Sequence, residues 1–469
     1  MGVRRKVEVE VEVVESCMVT PSEETPSHGL WLSPLDLAIV NRGLIPTVYF
    51  YSSTSGVVDD DFFDVATLKA ALAKALVPFY PLAGRIGVDG DGRAEVHCAG
   101  QGVLFVVAPS GLTVNGLVGC QPSAELRSLF VPRYEDSPSI MCAIQVTFMG
   151  CGGVILGTAL HHAAVDAASV FHFFKTWSAF SRDRDDGPGG AAAALELPCH
   201  DRALLRARAP PFVHPDAFTV FCPKLTLSAV PSGPVVSEIF AVSKDQVAAL
   251  KRACTGGGDG GRVSTFVAVS AHVWRSMCAA RRLPPDATTR LTFPANVRRV
   301  LRPPLPARYF GNAIITLGTA GKVRDIGSEE LASVAGRISG AVRRMDDELV
   351  RSAIDYLEIN GGKQPAGTLP ETELRVFSWL GMPMYDADFG WGKPLAMHRA
   401  VEERGGIVYV TASPTNALRA APKKRVCRML VVWFCASRSA GSNSRAIMQR
   451  ARRSSSAQKC SARTNFFNK

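Results

Sequence analysis

The chain has 469 residues, of which 47% are hydrophobic and 20% charged, a balance typical of a globular protein large enough for two domains. Residues 417–469 contain thirteen Lys or Arg and no acid, and subtracting these charges from the net +11 leaves −2 on the rest. A folded nucleic-acid reader needs a patterned basic face, so this distribution argues against nucleic acid as a partner. Without an apolar run of eighteen residues or a metal-ligand spacing among the twelve cysteines, we expect no membrane span and no metal.

The first predicted helix follows Asp64, an N-cap residue, and carries Leu68, Leu72 and Leu76 at helical spacing until Pro78. Residues 88–93 (VDGDGR) predict a hairpin turn. A second hairpin is expected to join residues 141–149 to the apolar strand 153–160. After it, four apolar side chains are expected on the core face of a helix: Val170, Phe173, Phe174 and Trp177.

His161, His162 and Asp166 follow the predicted strand 153–160 directly. A histidine at a strand end can take a proton from a nucleophile, and a nearby carboxylate can fix its geometry. The HxxxD spacing is common by chance, so on its own it favours a half-buried structural histidine about as strongly as a general base.

A second motif, DFGWG at residues 388–392, lies more than two hundred residues downstream. Together, the HHAAVD and DFGWG motifs resemble those of the plant acyl-CoA-dependent acyltransferases called the BAHD family. Three further segments resemble the same family: LVPFYPLAGR (76–85), PPLP (303–306) and YFGN (309–312). The resemblance extends from about residue 7 to about residue 416, and the hydroxycinnamoyltransferases are nearest in pattern.

The resemblance implies an α/β fold of two chloramphenicol-acetyltransferase-like domains, each a mixed β-sheet flanked by helices, with the active site in a channel between them. We expect an N-terminal domain (1–181) with HHxxxD and a C-terminal domain (213–416) with DFGWG. Residues 182–212 form the predicted crossover linker, part of which has a charged, then Gly- and Ala-rich composition typical of linkers. The basic tail (417–469) is expected to be partly disordered, and the protein to be a cytoplasmic monomer.

The implied reaction moves an acyl group from acyl-CoA, a co-substrate, to an amine or hydroxyl, with no permanently bound cofactor. His162 is the expected general base, which takes the proton of the acceptor as it attacks the thioester, and His161 has a packing role. Asp166 is expected to hold an arginine and shape the site. Asp388 is expected to pair with Arg298, although Asn296 and Val300 depart from the family pattern there.

Within DFGWG, Gly390 and Gly392 are expected to serve a tight loop and Trp391 to pack. Ser264 and Thr265, which open a helical segment, and Arg302 are candidate ligands of the coenzyme A phosphates. A residue of this kind is more often a capping residue or a solvated charge than a phosphate ligand.

Phe377, Trp379 and Gly381 are expected to share one face of a strand and to form the acceptor pocket. Shikimate- and quinate-type relatives carry Thr, Trp and Arg there, so only Trp379 remains to donate a hydrogen bond to the oxyanion. Without the arginine at 381 an acidic acceptor loses its bidentate partner, which favours an amine such as putrescine, agmatine, spermidine or an aromatic amine. The alternative is O-acylation of shikimate, quinate or an alcohol.

The family pattern stops after residue 416, where relatives continue with a final strand and a short helix. Residues 431–435 (VVWFC) are expected to replace that strand, and residues beyond 436 to be disordered. We expect the C-terminal domain to be less stable than in its relatives. An inactive pseudoenzyme with a replaced C-terminus therefore remains an alternative.

Overall fold

The computed structural model describes residues 11–53, 62–119, 123–135, 137–182, 196–221, 235–255, 262–362, 370–401, 405–412 and 430–437. The chain divides into two compact units. Unit 1 comprises the described residues of Met1–Arg206, Pro306–Ala313 and Met382–Glu402. Unit 2 comprises those of Ala207–Leu305, Ile314–Gly381 and Glu403–Lys469.

The strands are β1 (Glu15–Val19), β2 (His28–Trp31), β3 (Leu44–Tyr51), β4 (Arg85–Val88), β5 (Ala94–Cys98), β6 (Val103–Ser110), β7 (Cys142–Met149), β8 (Val154–His161), β9 (Val235–Val242), β10 (Thr288–Asn296), β11 (Ile314–Lys322), β12 (Glu373–Ser378), β13 (Ala396–Arg399), β14 (Ile407–Ala412) and β15 (Leu430–Ser437). The helices are α1 (Pro34–Leu37), α2 (Val65–Leu76), α3 (Val114–Leu117), α4 (Ala124–Phe130), α5 (Ala167–Arg182), α6 (Ala217–Phe221), α7 (Lys244–Thr255), α8 (Thr265–Ala280), α9 (Val323–Ser328), α10 (Leu331–Arg343) and α11 (Asp347–Ile359).

Unit 1 is built on a six-stranded mixed sheet in the order β1-β6-β7-β8-β3-β13, with a separate three-stranded sheet in the order β2-β5-β4. In the larger sheet only β6 and β7 run parallel. The predicted hairpin between β7 and β8 is present, and every residue of β8 is buried. His161 therefore lies at the end of a strand that is buried within unit 1.

Two helices of unit 1, α2 and α5, form where the sequence predicts them, although Val170 on the expected core face of α5 is only partly buried. Asp64 accepts a hydrogen bond from the Thr67 amide at 2.8 Å, which caps α2. The three leucines of α2 are fully buried, as are Phe173, Phe174 and Trp177 of α5. The indole of Trp177 donates to the Leu68 carbonyl at 3.0 Å and so ties the two helices together.

Unit 2 has its own six-stranded mixed sheet in the order β11-β10-β12-β14-β15-β9, in which β12 runs parallel to both of its neighbours. Helix α8 packs on this sheet. Its Trp274 indole donates to the Thr289 hydroxyl of β10 at 3.0 Å, and its Phe266 ring lies 5.1 Å from that of Phe293. Two mixed sheets flanked by helices confirm the predicted fold class.

The strand expected from the atypical tail is present. Residues 430–437 form β15, which contains the VVWFC segment and pairs antiparallel with β14 on one side and β9 on the other. Unit 2 thus takes an interior strand from beyond the last residue of the family pattern. The predicted disorder concerns residues that, apart from Ser437, lie outside the described part of the chain.

The units differ from the predicted domains at two places. DFGWG lies in unit 1, because β13 directly after it pairs with β3, and the Leu395 amide donates to the Phe50 carbonyl at 2.7 Å. Residues 196–206 of the predicted linker also belong to unit 1. They are held there by direct contacts, among them the ion pair of Arg202 with Asp36. Residues 183–195, on whose composition the linker prediction mainly rests, lie outside the described part of the chain, and composition could not locate the contacts that hold residues 196–206.

Candidate active site

The histidine pair begins where β8 ends. His161 is buried, its amide donates to the Met141 carbonyl, and its ring Nδ1 accepts a hydrogen bond from the Ala163 amide at 3.2 Å. Its ring therefore stabilises the turn that follows, in agreement with the expected packing role.

The ring of His162 has a defined tautomer. Its Nδ1 lies 2.9 Å from the carbonyl oxygen of Val165 in the same turn. Because a carbonyl only accepts hydrogen bonds, Nδ1 must carry the proton, and the lone pair of the neutral ring is on Nε2. This is the arrangement that a general base requires.

The surroundings of His162 keep the ring neutral. Burial lowers its pKa to about 4, and the positive charges of Arg42 and Arg399 act in the same direction, whereas Asp166 opposes them. Burial, together with the neighbouring His162, also lowers the pKa of His161 to about 4. At neutral pH the Nε2 atom of His162 is therefore free of a proton.

Asp166 is buried and binds backbone amides. One carboxylate oxygen accepts from the Ser169 amide at 3.0 Å in the first turn of α5, and the other from the Ala313 amide at 3.1 Å. The carboxylate thus joins the HHAAVD turn to the residue that follows YFGN. These contacts give Asp166 a shaping role, while its expected pairing with an arginine remains a prediction.

The DFGWG segment is a tight loop closed by its own aspartate. One oxygen of Asp388 accepts the amides of Gly390 and Gly392, each at 3.0 Å, and both glycines have φ above +100°. Phe389 is buried with its ring 4.6 Å from that of Trp177, and Trp391 stacks on Phe63 at 5.1 Å. The loop and packing roles expected of these residues agree with this geometry.

Arg298, the expected partner of Asp388, belongs to unit 2, so that pairing remains a prediction. Within unit 2 the amide of Arg298 donates to the Asn296 side-chain oxygen at 3.0 Å, and its guanidinium lies 3.5 Å from the same oxygen. Asn296, where the family pattern has an acid, is thus a neutral partner of this buried arginine.

Two of the three residues expected on one strand face lie together. The rings of Phe377 and Trp379 both pack against Tyr409 of β14, with centroids 5.0 and 5.3 Å away, so these two side chains share a face. Gly381 does not continue the strand, because β12 ends at Ser378 and Gly381 lies in a turn with φ of +77°. The regular alternation of a strand therefore does not extend to position 381. That these three residues form the acceptor pocket remains a prediction.

The candidate coenzyme A ligands have local roles in unit 2. The Ser264 hydroxyl accepts the Val267 amide at 3.2 Å and caps α8, which begins at Thr265. The Arg302 guanidinium donates to the carbonyls of Arg299 and Leu301. Ser264 is thus a helix cap and Arg302 binds carbonyls of the turn that precedes it, and coenzyme A binding by Ser264, Thr265 and Arg302 remains a prediction.

A sequence profile of the Transferase family matches residues 9–420. The chain belongs to the BAHD family of acyl-CoA-dependent acyltransferases. It is therefore an enzyme, and acyl-CoA is its co-substrate.

BAHD relatives of known activity are similar over most of their length. The chain is 47% identical over 414 residues to putrescine hydroxycinnamoyltransferase 1 of Oryza sativa subsp. japonica, which covers 85% of this chain and 92% of the relative. It is 40% identical over 428 residues to shikimate O-hydroxycinnamoyltransferase of Nicotiana tabacum, covering 87% and 94%.

Two solved structures show the same fold. Vinorine synthase superposes with a TM-score of 0.69 at 24% identity, covering 92% of this chain and 95% of the other. The F. graminearum protein TRI101, solved with ethyl coenzyme A, gives 0.69 at 20% identity, covering 91% and 97%.

Three residues of this BAHD enzyme that support the HHAAVD turn were missed in the sequence: Asp36, Arg202 and Asn312. They lie together under the turn although Asp36 and Asn312 are 276 positions apart. YFGN was noted only as a resemblance, and nothing in local spacing indicates which residues Asn312 contacts.

Within the described residues, no group of three His, Cys, Asp or Glu side chains is arranged to hold a metal ion. No helix in the same residues is both long and apolar enough to cross a membrane. Seven cysteines within the described residues are free thiols: Cys17, Cys98, Cys142, Cys151, Cys199, Cys254 and Cys278.

Proposed function

We propose that this enzyme transfers a hydroxycinnamoyl group, such as p-coumaroyl, caffeoyl or feruloyl, from coenzyme A to an amine. The observation that carries the chemistry is the hydrogen bond from His162 Nδ1 to the Val165 carbonyl, which leaves Nε2 as a base. The hydroxycinnamoyl donor and the amine acceptor are supported by the relative that acts on putrescine.

In the proposed reaction the amine nitrogen attacks the thioester carbonyl carbon while His162 Nε2 takes its proton. The C–S bond then breaks, the thiolate leaves and receives the proton, and an amide is formed without a covalent enzyme intermediate. A positioned base of this kind contributes about 10²–10⁴-fold to the rate. Trp379 is proposed to donate its indole N–H to the oxyanion.

The acceptor choice is supported by Gly381. Without a guanidinium at this position, an acceptor carboxylate lacks the bidentate partner that arginine supplies in relatives acting on shikimate or quinate. O-acylation of shikimate is the second candidate, supported by the 40% identical relative from tobacco.

The test is release of free thiol from p-coumaroyl-CoA with putrescine, agmatine, spermidine, tryptamine and shikimate as acceptors. We expect release with an amine, loss of that release in His162→Ala, and retention in the control His97→Ala, whose side chain is 48% exposed on β5. Release with shikimate alone contradicts the amine proposal. No release with any acceptor, from protein shown to be folded, supports the pseudoenzyme alternative.

The pH dependence separates the two acceptor classes. An alkyl ammonium with a pKa near 10 is only about 0.1% neutral at pH 7. The kcat/KM of the enzyme for an alkylamine acceptor should therefore rise about tenfold per pH unit between pH 6 and 8. A hydroxyl acceptor has no such requirement, because His162 is already neutral throughout this range.

A further inference from the structure

A single buried carboxylate lies at the centre of the hydrogen bonds beneath the HHAAVD turn. One oxygen of Asp36 accepts the backbone amide and the side-chain amide of Asn312, at 2.9 and 2.8 Å. The other oxygen accepts the Ser33 hydroxyl at 2.7 Å and the Arg202 Nε at 3.1 Å. Asp36 has no exposed surface, and Arg202 is 2% exposed.

The two side chains held by Asp36 continue to the turn. The Asn312 side-chain nitrogen lies 2.7 Å from the carbonyl oxygen of His162 and 3.3 Å from that of Ala163. The Arg202 Nη2 donates to the carbonyl of Ala164 at 3.2 Å. Three successive carbonyls, beginning with that of His162 itself, therefore face donors that a single carboxylate holds in place.

The arrangement leaves some hydrogen-bonding capacity unused. The amide oxygen of Asn312 and the Nη1 of Arg202 are buried, and neither has a hydrogen-bond partner within the described residues. Reversing the Asn312 amide would give its oxygen no better partner, because it would face the Asp36 carboxylate and two carbonyls. A buried polar atom without a partner is costly, so its retention calls for an explanation beyond packing.

We propose that Asp36, Arg202 and Asn312 are positioning residues for His162. By fixing the carbonyls of residues 162–164, they keep the Val165 carbonyl within hydrogen-bond distance of Nδ1, so that the neutral ring holds its lone pair on Nε2. The proposal rests on the role of His162 as the general base. It does not depend on which acceptor the enzyme uses.

The experiment reads the tautomer directly. In protein labelled with ¹⁵N-histidine, the signals of His162 are assigned by their loss in His162→Ala, and ¹⁵N shifts distinguish a protonated nitrogen from one with a lone pair. We expect a protonated Nδ1 and an unprotonated Nε2 in the wild-type protein at pH 7. A protonated Nε2 there would overturn the proposal, whatever the variants do.

Asn312→Ala removes the donor to the carbonyls of His162 and Ala163. We expect the two ¹⁵N shifts of His162 to move toward each other as the second tautomer becomes populated. We also expect kcat to fall at least tenfold, with KM for acyl-CoA changed less than twofold. Unchanged shifts with a lower kcat would show a merely structural role and contradict the proposal.

The matched control is Thr158→Val. It breaks another side-chain hydrogen bond of unit 1, the partly buried one between Thr158 on β8 and Thr47 on β3 at 2.7 Å, without touching the turn. It should lower the melting temperature but leave the His162 shifts and kcat unchanged. If it alters them as Asn312→Ala does, general destabilisation explains the effect and the proposal is wrong.

Arg202→Lys is the second variant, for the case in which Asn312→Ala does not fold. A single ammonium retains the charge opposite Asp36 but cannot reproduce the planar fork that also reaches the Ala164 carbonyl. We expect the two ¹⁵N shifts of His162 to move toward each other, as in Asn312→Ala, and kcat to fall by less than in that variant. If every acceptor fails while the tautomer results hold, the amine proposal fails and the positioning proposal stands.

Discussion

The ring Nδ1 of His162 lies 2.9 Å from the carbonyl oxygen of Val165, three residues along the same turn. The contact is local, yet it determines which ring nitrogen can act as a base. A carbonyl can hold a histidine in one neutral tautomer without adding charge, whereas a carboxylate in its place would raise the pKa of the ring. His162 is therefore oriented and neutral at the same time.

The stability of the protein should fall as the pH is lowered from about 6.5 to about 4. Burial is the main cause that lowers the pKa of His161, His162, His200 and His272 to about 4. In that window the unfolded chain binds more protons than the folded one, so stability rises with pH, by up to about 1.4 kcal/mol per pH unit for each histidine.

Urea unfolding at pH 7 and at pH 5 measures this effect. The urea midpoint should be clearly lower at pH 5 than at pH 7. In His272→Leu the difference between the two midpoints should be smaller, because one histidine fewer takes up a proton on unfolding. Equal midpoints at the two pH values would contradict the neutral state of these histidines in the folded protein.

Substitutions of Asp388 separate its two possible roles. Asp388→Asn keeps an oxygen for the amides of Gly390 and Gly392, whereas Asp388→Ala removes it. If loop closure is the main role, the Asp388→Asn variant should keep a melting temperature and an activity near those of the wild type. The Asp388→Ala variant should lose about 1–3 kcal/mol of stability. Activity and stability are compared in all three proteins. An Asn variant as damaged as Ala would instead support the charged pairing with Arg298.

Gly381→Arg tests the acceptor pocket, with Gly381→Ala as its matched control. Both place a side chain at φ of +77°, where nothing lies within 4 Å of the new Cβ, so both should lose about 1–2 kcal/mol of stability through backbone strain alone. Only the arginine variant should gain kcat/KM for shikimate relative to putrescine. Equal acceptor preference in the two variants would show that position 381 does not select the acceptor.

The role of β15 can be tested by truncation. A chain ending at residue 416 loses the strand between β14 and β9 and leaves two unpaired edges, whereas one ending at Ser437 keeps it. We expect the shorter chain to have a lower melting temperature and to aggregate, and the longer one to behave like the full chain. Equal melting temperatures for the two would mean that β15 contributes nothing to the stability of unit 2.

A related experiment replaces residues 417–469 with an ending typical of the family. If the atypical tail makes unit 2 less stable, the replacement should raise the melting temperature. An unchanged melting temperature would show that β15 serves as well as the strand it replaces.

Local pattern was sufficient to predict the elements that lead to the site. The spacing of Leu68, Leu72 and Leu76 identified α2, and the apolar run before His161 identified β8, because each signal lies within one helix or one strand. Gly381 was misplaced because alternation along a strand does not show where the strand ends. A turn with positive φ is a conformation that glycine adopts without the steric cost that it imposes on other residues.

The supports of the turn could not be predicted from the sequence for a different reason. Asp36, Arg202 and Asn312 come from three distant stretches, and each has an ordinary local explanation, such as the capping box that Asp36 forms with Ser33. Only the folded chain shows that their remaining hydrogen-bonding groups converge on residues 162–164.

The pairing of β13 with β3 has a consequence for synthesis of the protein on the ribosome. Strand β3 is complete at residue 51, but its partner spans residues 396–399, so one of its edges stays open while more than three hundred further residues are translated. An open strand edge is a site at which another chain can pair and aggregate. At a translation rate of about 5–20 residues per second, this edge of β3 stays unpaired in the nascent chain for tens of seconds. The enzyme should therefore depend on chaperones during translation more than a protein of its size whose sheet partners are adjacent in sequence.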